Sequence, residues 1–386
     1  MRSKLNELIQ SLTVFQVRNP TQLSNERVIS VDALRGFDMF WIMGGEMMIQ
    51  GLDNVFHNRL TAFLKLQTEH VVWTGFHFYD IIMPLFLFLV GVSLVFSLRK
   101  RLSKGATDKS IWSHAIKRIA ILWVCGMAVQ GNLLTYDINQ IKLYSNTLQA
   151  IACGYLVATV FVLYLPVLWQ LVATSGLLLL YWGLLVLVPV GGNPIGTFTM
   201  GSNVALSFDH WVLGSFHDGL QYTWILTSLG FSATVMLGVF CGYLLQSTVE
   251  PMKKLRNFVV LGASLIVLAM IWDQWHPIIK KVWTGSFVFF AGGISILMLA
   301  VFYLVIDIWK VRRGTLWLII LGSNAIFGYV VWNLLETGFT TIAGIFLEGL
   351  KPAINDWYET LSYFLAFMVI FLLMRYMYKN KTFIKI

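Results

Sequence analysis

Charge is scarce in this chain. Of its 386 residues, 12% are Asp, Glu, Lys or Arg and 57% are hydrophobic. The mean hydropathy of +0.71 is above what a soluble globular domain reaches, which excludes that class. Cysteine is nearly absent. Cys125, Cys153 and Cys241 all sit in apolar runs, so neither a disulfide framework nor a cysteine metal cluster is expected, only small buried hydrophobes. There is no GxxxxGK[ST] loop, HExxH, CxxC or GxSxG, so ATP-driven transport, zinc proteolysis and serine hydrolysis lack their signatures, and no metal site is expected. No internal repeat or low-complexity linker is visible. Residues 1–27 carry no short apolar core of the kind a cleavable signal needs; they read as a cytoplasmic segment in which Lys4 to Val17 forms a weak amphipathic helix.

What is present is a series of long apolar runs. Crossing about 30 Å of hydrocarbon takes about 20 residues of helix. Ten runs qualify, near 33–52, 77–98, 111–131, 146–165, 167–189, 223–246, 257–273, 284–308, 315–336 and 359–378. The first is interrupted by Asp32, Arg35, Asp38 and Glu46, and Arg35 lies within it. The expected fold is all-α, a single polytopic membrane domain over 28–386 with about ten transmembrane helices. With the N-terminus inside, 21 Lys and Arg fall on the cytoplasmic side and six on the other, which satisfies the positive-inside rule and puts both termini in the cytoplasm. The net charge of +9 is spread along these inner loops, which argues for a lipid-bilayer setting and against a nucleic-acid partner. Fifteen Trp and 14 Tyr suit rings at both interfaces.

Polar residues in such a chain are informative because polar groups are expensive in hydrocarbon. The mouth of the second run, EHVVWTGFHFYD (69–80), carries Glu69, His70, His77 and Asp80 on the non-cytoplasmic side. His70 can accept a proton at neutral pH if a carboxylate fixes its tautomer, and either Asp80 or Glu69 stands within reach in sequence. Asp80 reads equally as a helix cap. Glu46 is an intramembrane carboxylate and by default a functional residue, while Gly44 and Gly45 before it would permit close backbone approach. Arg35 and Asp32 either pair or hold an anion. Asn146, Gln149, Asn324, Asn333 and Glu336 read as interhelical glue, and Asp307 as a partner for Lys310 or Arg312. The connection 190–222 has no Lys or Arg; its hydroxyl, amide and aromatic groups suit a saccharide, or else form a cap without a ligand. On these residues alone a transporter and a membrane transferase are equally supported.

The segments RVISVDALRG (27–36), HVVWTGFHFYDIIMPLFLFLVGVS (70–93), SNTLQAIACGYL (145–156), DHWVLG (209–214), MLGVFCG (236–242), IIKKVWTGSFV (278–288) and LGSNAIFGY (321–329) are similar, in this order, to the transmembrane acyltransferases related to lysosomal heparan-α-glucosaminide N-acetyltransferase. They resemble most the bacterial members once described as N-acetylglucosamine-related transporters. The specific element is His70-x2-Trp73-x-Gly75-x4-Asp80 followed by an apolar run that here opens Met83-Pro84. The resemblance implies acetyl-CoA entering from the cytoplasm, the acetyl group passing to the amine of a terminal glucosamine on the other side, a bacterial inner membrane and a homodimer. It implies His70 as general base or transient acetyl carrier, with Asp80 in support. Glu46 stands where the lysosomal enzyme has an Asn, and His217-Asp218-Gly219 where the family has an acidic turn. Glu46 joins His70 and Asp80 in the catalytic set, and Glu69, Trp73, His217 and Asp218 make an acceptor-binding set. Arg35, Lys117 and Arg118 are placed to hold the phosphates of acetyl-CoA. The alternatives are a sugar permease using His70, Asp80 and Glu46 as a proton relay, a glycan O-acetyltransferase, and a membrane scaffold.

Overall fold

The computed structural model describes residues 28–190, 192, 194–219 and 221–384; the expected amphipathic stretch at Lys4 to Val17 lies outside them. The structure is 77% helical, and no strand occurs among the described residues. Seven helical segments are long and apolar enough to cross a membrane, so the all-α, multi-pass character holds at that level.

The helices in chain order are α1 (Ile29–Phe40), α2 (Glu46–Phe56), α3 (Arg59–Thr68), α4 (Ile82–Leu102), α5 (Asp108–Val129), α6 (Thr147–Tyr164), α7 (Val167–Leu187), α8 (Val204–Leu213), α9 (Ser228–Gln246), α10 (Pro251–Trp272), α11 (Gly285–Phe302), α12 (Leu316–Ser323), α13 (Ala325–Leu347), the short α14 (Lys351–Ile354) and α15 (Tyr358–Lys379). Their starts follow from capping residues. Asn58 and Asn146 form capping boxes with Thr61 and Gln149, Asn203 accepts the Leu206 N–H, and Pro251 occupies the first turn of α10, where its missing N–H is harmless.

The chain folds as two compact units, one comprising residues 83–297 and the other 28–82 with 298–384 among the described residues. In the first, α6 packs on α5 and α9, and α9 also packs on α7. In the second, α1 lies along α12, and α15 packs on α13 and α2.

The second unit departs from the expected regular spans in three places. The first run is not one straight helix. A kink at Trp41–Gly45 separates α1 from α2, with Met43 off helical geometry and Gly44 at φ 102°, a conformation that favours glycine. The Trp332 indole packs 3.1 Å from where a Gly44 Cβ would stand, so Gly44 serves the kink and meets a side chain, not a neighbouring backbone. The ninth run breaks at Asn324, whose amide binds the Thr382 carbonyl and whose oxygen accepts the Ile384 N–H. Asp307 accepts the N–H groups of Ile29 (3.3 Å) and Ser30 (3.1 Å), so it caps α1 and satisfies its free backbone donors. That is the better use of a carboxylate near a helix N-terminus than the expected pairing with Lys310 or Arg312.

Candidate functional site

The segment between α3 and α4 is short and turns back on itself. Thr68 ends α3, the chain runs extended through Glu69, and a 3₁₀ turn at Phe78–Ile81 leads into α4. Asp80 lies in that turn and is 1% exposed. One of its oxygens meets His70 Nδ1 at 2.9 Å; the other accepts the N–H of Val71 (3.3 Å) and of His77 (3.0 Å). Both expected readings of Asp80 therefore hold, since it orients the imidazole and caps the turn. Three donors on one buried carboxylate fix its position, each such charge-assisted bond contributing about 1.5–3 kcal/mol. With Nδ1 facing the carboxylate, Nε2 is the atom left to take a proton.

Of the two carboxylates expected near His70, only Asp80 binds it. Glu69 contributes its backbone carbonyl instead, which meets His77 Nδ1 at 3.0 Å, while Gln67 Oε1 accepts the Phe78 N–H. The side chain of His70 is 40% exposed, so the base is half open and its partner closed off. Residues Val71 to His77 line a groove of about 410 Å³, with Trp73 and the positive-φ Gly75 in its wall. The indole and a run of loop amides thus border one concavity, which begins one residue after His70.

Behind His70 stands a second layer that sequence reasoning did not single out. The Tyr79 ring is tilted against the His70 ring at 5.0 Å. Its hydroxyl hydrogen-bonds Glu46, with Asp38 and Tyr329 near enough to bear on it electrostatically. Asp38 is fully buried, and neither of its carboxylate oxygens has a hydrogen-bond partner among the described residues. Burying such a group unmet costs about 1–3 kcal/mol or more. In the same unit aromatic rings pack on one another: Trp41 lies 4.9 Å from Phe78, and Phe37 5.7 Å from Phe302. The signal available in the sequence was the charge of Asp38 inside an apolar run; nothing in the spacing linked it to Tyr79.

The other expected site residues lie elsewhere. Arg35, one turn before Asp38, bonds Asp32 and the Gly322 carbonyl, both at 3.4 Å, so the expected pair with Asp32 forms. Lys117 and Arg118 belong to the other unit, on α5. Lys117 is exposed, and the Arg118 guanidinium stacks 4.5 Å over Tyr155. The basic last turn of α4, with Arg99, Lys100 and Arg101, fits an anionic phosphate by charge.

His217 and Asp218 form a separate network in that same unit. Asp218 binds Lys142 Nζ (2.8 Å) and the Trp224 indole N–H (3.1 Å), and the Gly219 N–H donates to His217 Nδ1 (2.9 Å). Burial raises the Asp218 carboxyl above its ordinary range, with Lys142 opposing. Nearby, buried Asp209 accepts the N–H of Trp224 (2.6 Å) and Ile225 (3.0 Å), and burial pushes it up to about 6. No group of three or more His, Cys, Asp or Glu able to hold a metal ion occurs among the described residues.

Neither a scan against protein-family models nor a search of curated proteins returns a match for this chain.

Proposed function

We propose that the protein is a membrane acetyltransferase that moves the acetyl group of cytoplasmic acetyl-CoA to the amine of glucosamine or a glucosamine-terminated saccharide on the opposite side. In this reading the ten-span topology with both termini cytoplasmic applies, the membrane is a bacterial inner membrane, and the protein works as a homodimer. The observation that carries it is the His70–Asp80 pair at 2.9 Å, a half-open imidazole held by a buried carboxylate, with the residues that follow, Val71 to His77, lining a groove. It supports general-base chemistry at Nε2.

Acetyl-CoA would supply the activated thioester. The acceptor nitrogen gives up two protons in becoming an amide. One leaves to water as the ammonium becomes a free amine. His70 Nε2 takes the second as the C–N bond forms, and returns it to the thiolate released when the C–S bond breaks. Asp80 holds the imidazole in the required tautomer and offsets its transient charge, and the Trp73 indole N–H and the Gly75 amide are the donors nearest in sequence for the developing oxyanion. If His70 itself carries the acetyl group, the kinetics become ping-pong.

Two other readings stay in play. Proton-coupled saccharide transport is favoured by Asp38, since a buried carboxyl near the Tyr79 hydroxyl, which itself hydrogen-bonds Glu46, is what an intramembrane proton relay uses. O-acetylation of a glycan uses the same base on a hydroxyl. Purified protein given acetyl-CoA with glucosamine decides among them. An N-acetylated product sustains the proposal, an O-linked one redirects it, and absence of product with every amine and hydroxyl acceptor ends it.

A further inference from the structure

The short helix α3, which lies outside every apolar run of membrane length, is built inside out. Its outward face carries Leu60, Phe63 and Leu66, which are 65%, 56% and 46% exposed. Positions three apart share one side of a helix, so these three form one stripe. The opposite face carries Thr61 and Thr68, both buried. The Thr61 hydroxyl donates to Asp53 of α2 at 2.9 Å, and Lys65 reaches the same carboxylate at 3.6 Å. A helix covered by water presents the reverse pattern, because leaving large apolar groups exposed forfeits about 25 cal/mol for each Å² of their surface. An apolar stripe turned outward marks a surface that something apolar covers.

The neighbours of α3 identify the cover. Phe56, half exposed at the end of α2, packs against Trp357 with ring centroids 5.5 Å apart, and Asn54 donates to Glu359 at 2.6 Å. Trp357 directly precedes α15, which closes the membrane-length segment Ala325–Lys379, and the exposed Phe364 stands two turns further along it. Exposed tryptophan beside polar groups at the end of a span marks the level of the lipid headgroups. Because α3 begins three residues after Phe56, its stripe starts at that level and continues the lipid-facing surface of α15. A second copy of the chain is a poorer cover: ten residues of helix are about 15 Å long and one face about 10 Å wide, so it offers roughly 150 Å² against roughly 800 Å² per partner in a stable dimer. We propose that α3 is an in-plane membrane helix, its Leu60–Phe63–Leu66 stripe seated on the acyl chains at the headgroup boundary and its threonine face turned to the protein. The chain passes from α3 through Glu69 to His70, so the helix also sets the depth of that imidazole at the membrane surface. This inference rests on packing and goes beyond the acetyl-transfer reading.

The test uses the full-length protein in phosphatidylcholine vesicles, with Cys125 and Cys153 replaced by Ala. A single nitroxide is attached in turn through Leu60→Cys, Phe63→Cys, Leu66→Cys and Lys65→Cys, all at exposed or half-exposed positions where a label displaces no core. Collisions are read with oxygen, which concentrates in lipid, and with a water-soluble nickel chelate. The oxygen-to-nickel ratio at positions 60, 63 and 66 is expected to be at least about threefold that at position 65. Equal ratios at the four positions would put the stripe in water. Spin–spin broadening that disappears on dilution with unlabelled protein would put it against a second copy. Either result overturns the proposal, and neither depends on whether the protein transfers acetyl groups.

Discussion

Two stretches of this chain set an imidazole close to a carboxylate, and they use them differently. His70 and Asp80 are ten residues apart yet bonded at 2.9 Å, and the acid is buried while the base is half open. His217 and Asp218 are adjacent in sequence, yet Asp218 binds Lys142 and Trp224, and His217 accepts a backbone N–H. Neighbours along an extended chain point apart, whereas a loop that closes on a 3₁₀ turn brings distant residues together. The lesson is that the partner a carboxylate has, and not its distance along the chain, separates a candidate base from a structural network.

The largest expected effect breaks the comparison at its base. His70→Ala should lower acetyl transfer about 10³-fold, within the range for a general base, and His217→Ala by less than about threefold. Equal losses in steady-state assays would mean that the two histidines do not differ as described. Asp80→Asn keeps the size and loses the charge. It should lower turnover about 10²-fold and, because the amide cannot hold the same tautomer, change the acidic limb of the pH–rate profile; a fall in kcat without any change in that profile would point to lost packing instead.

Two smaller effects concern the carboxylates of the other stretch. Asp209 sits in a connection outside the spans, and burial raises it to about 6. The folded protein therefore holds that proton more tightly than the unfolded chain, and the contribution is fully present below about pH 4 and lost as pH rises through about 6. Asp209→Asn does not titrate, so its melting temperature should gain on the wild type between pH 4 and 7; a constant difference would reject the assignment. Asp218→Asn should lower stability by about 1 kcal/mol, since the Lys142 side chain it meets is 35% exposed and screened by water, with transfer activity unchanged. A large loss of activity would return Asp218 to the acceptor site.

The regular parts of this fold were readable from composition, because hydrocarbon length and helix rise fix how many apolar residues a span needs. The mouth of the second span was readable too, since His, Asp and Trp in an apolar stretch stand out. Spacing alone did not decide between Glu69 and Asp80, because the choice depends on a turn closed by backbone hydrogen bonds. Asp307 was assigned a charged neighbour, and it caps a helix 278 residues away in sequence. Tyr79 was invisible for another reason: a tyrosine among interfacial aromatics is ordinary until its hydroxyl is seen against Glu46. Asn324 reads as polar glue, and its use by the chain end at Thr382 and Ile384 depends on tertiary packing.

The kink at Trp41–Gly45 is made by two residues off helical geometry, and at Gly44 φ is 102°, where a side chain is disfavoured. The bearing of Glu46 toward Tyr79 is thus set by the backbone as well as by chemistry. A β-branched residue at position 44 would pull that bend toward a regular helix and re-aim α2, carrying the carboxylate off its hydroxyl without touching either.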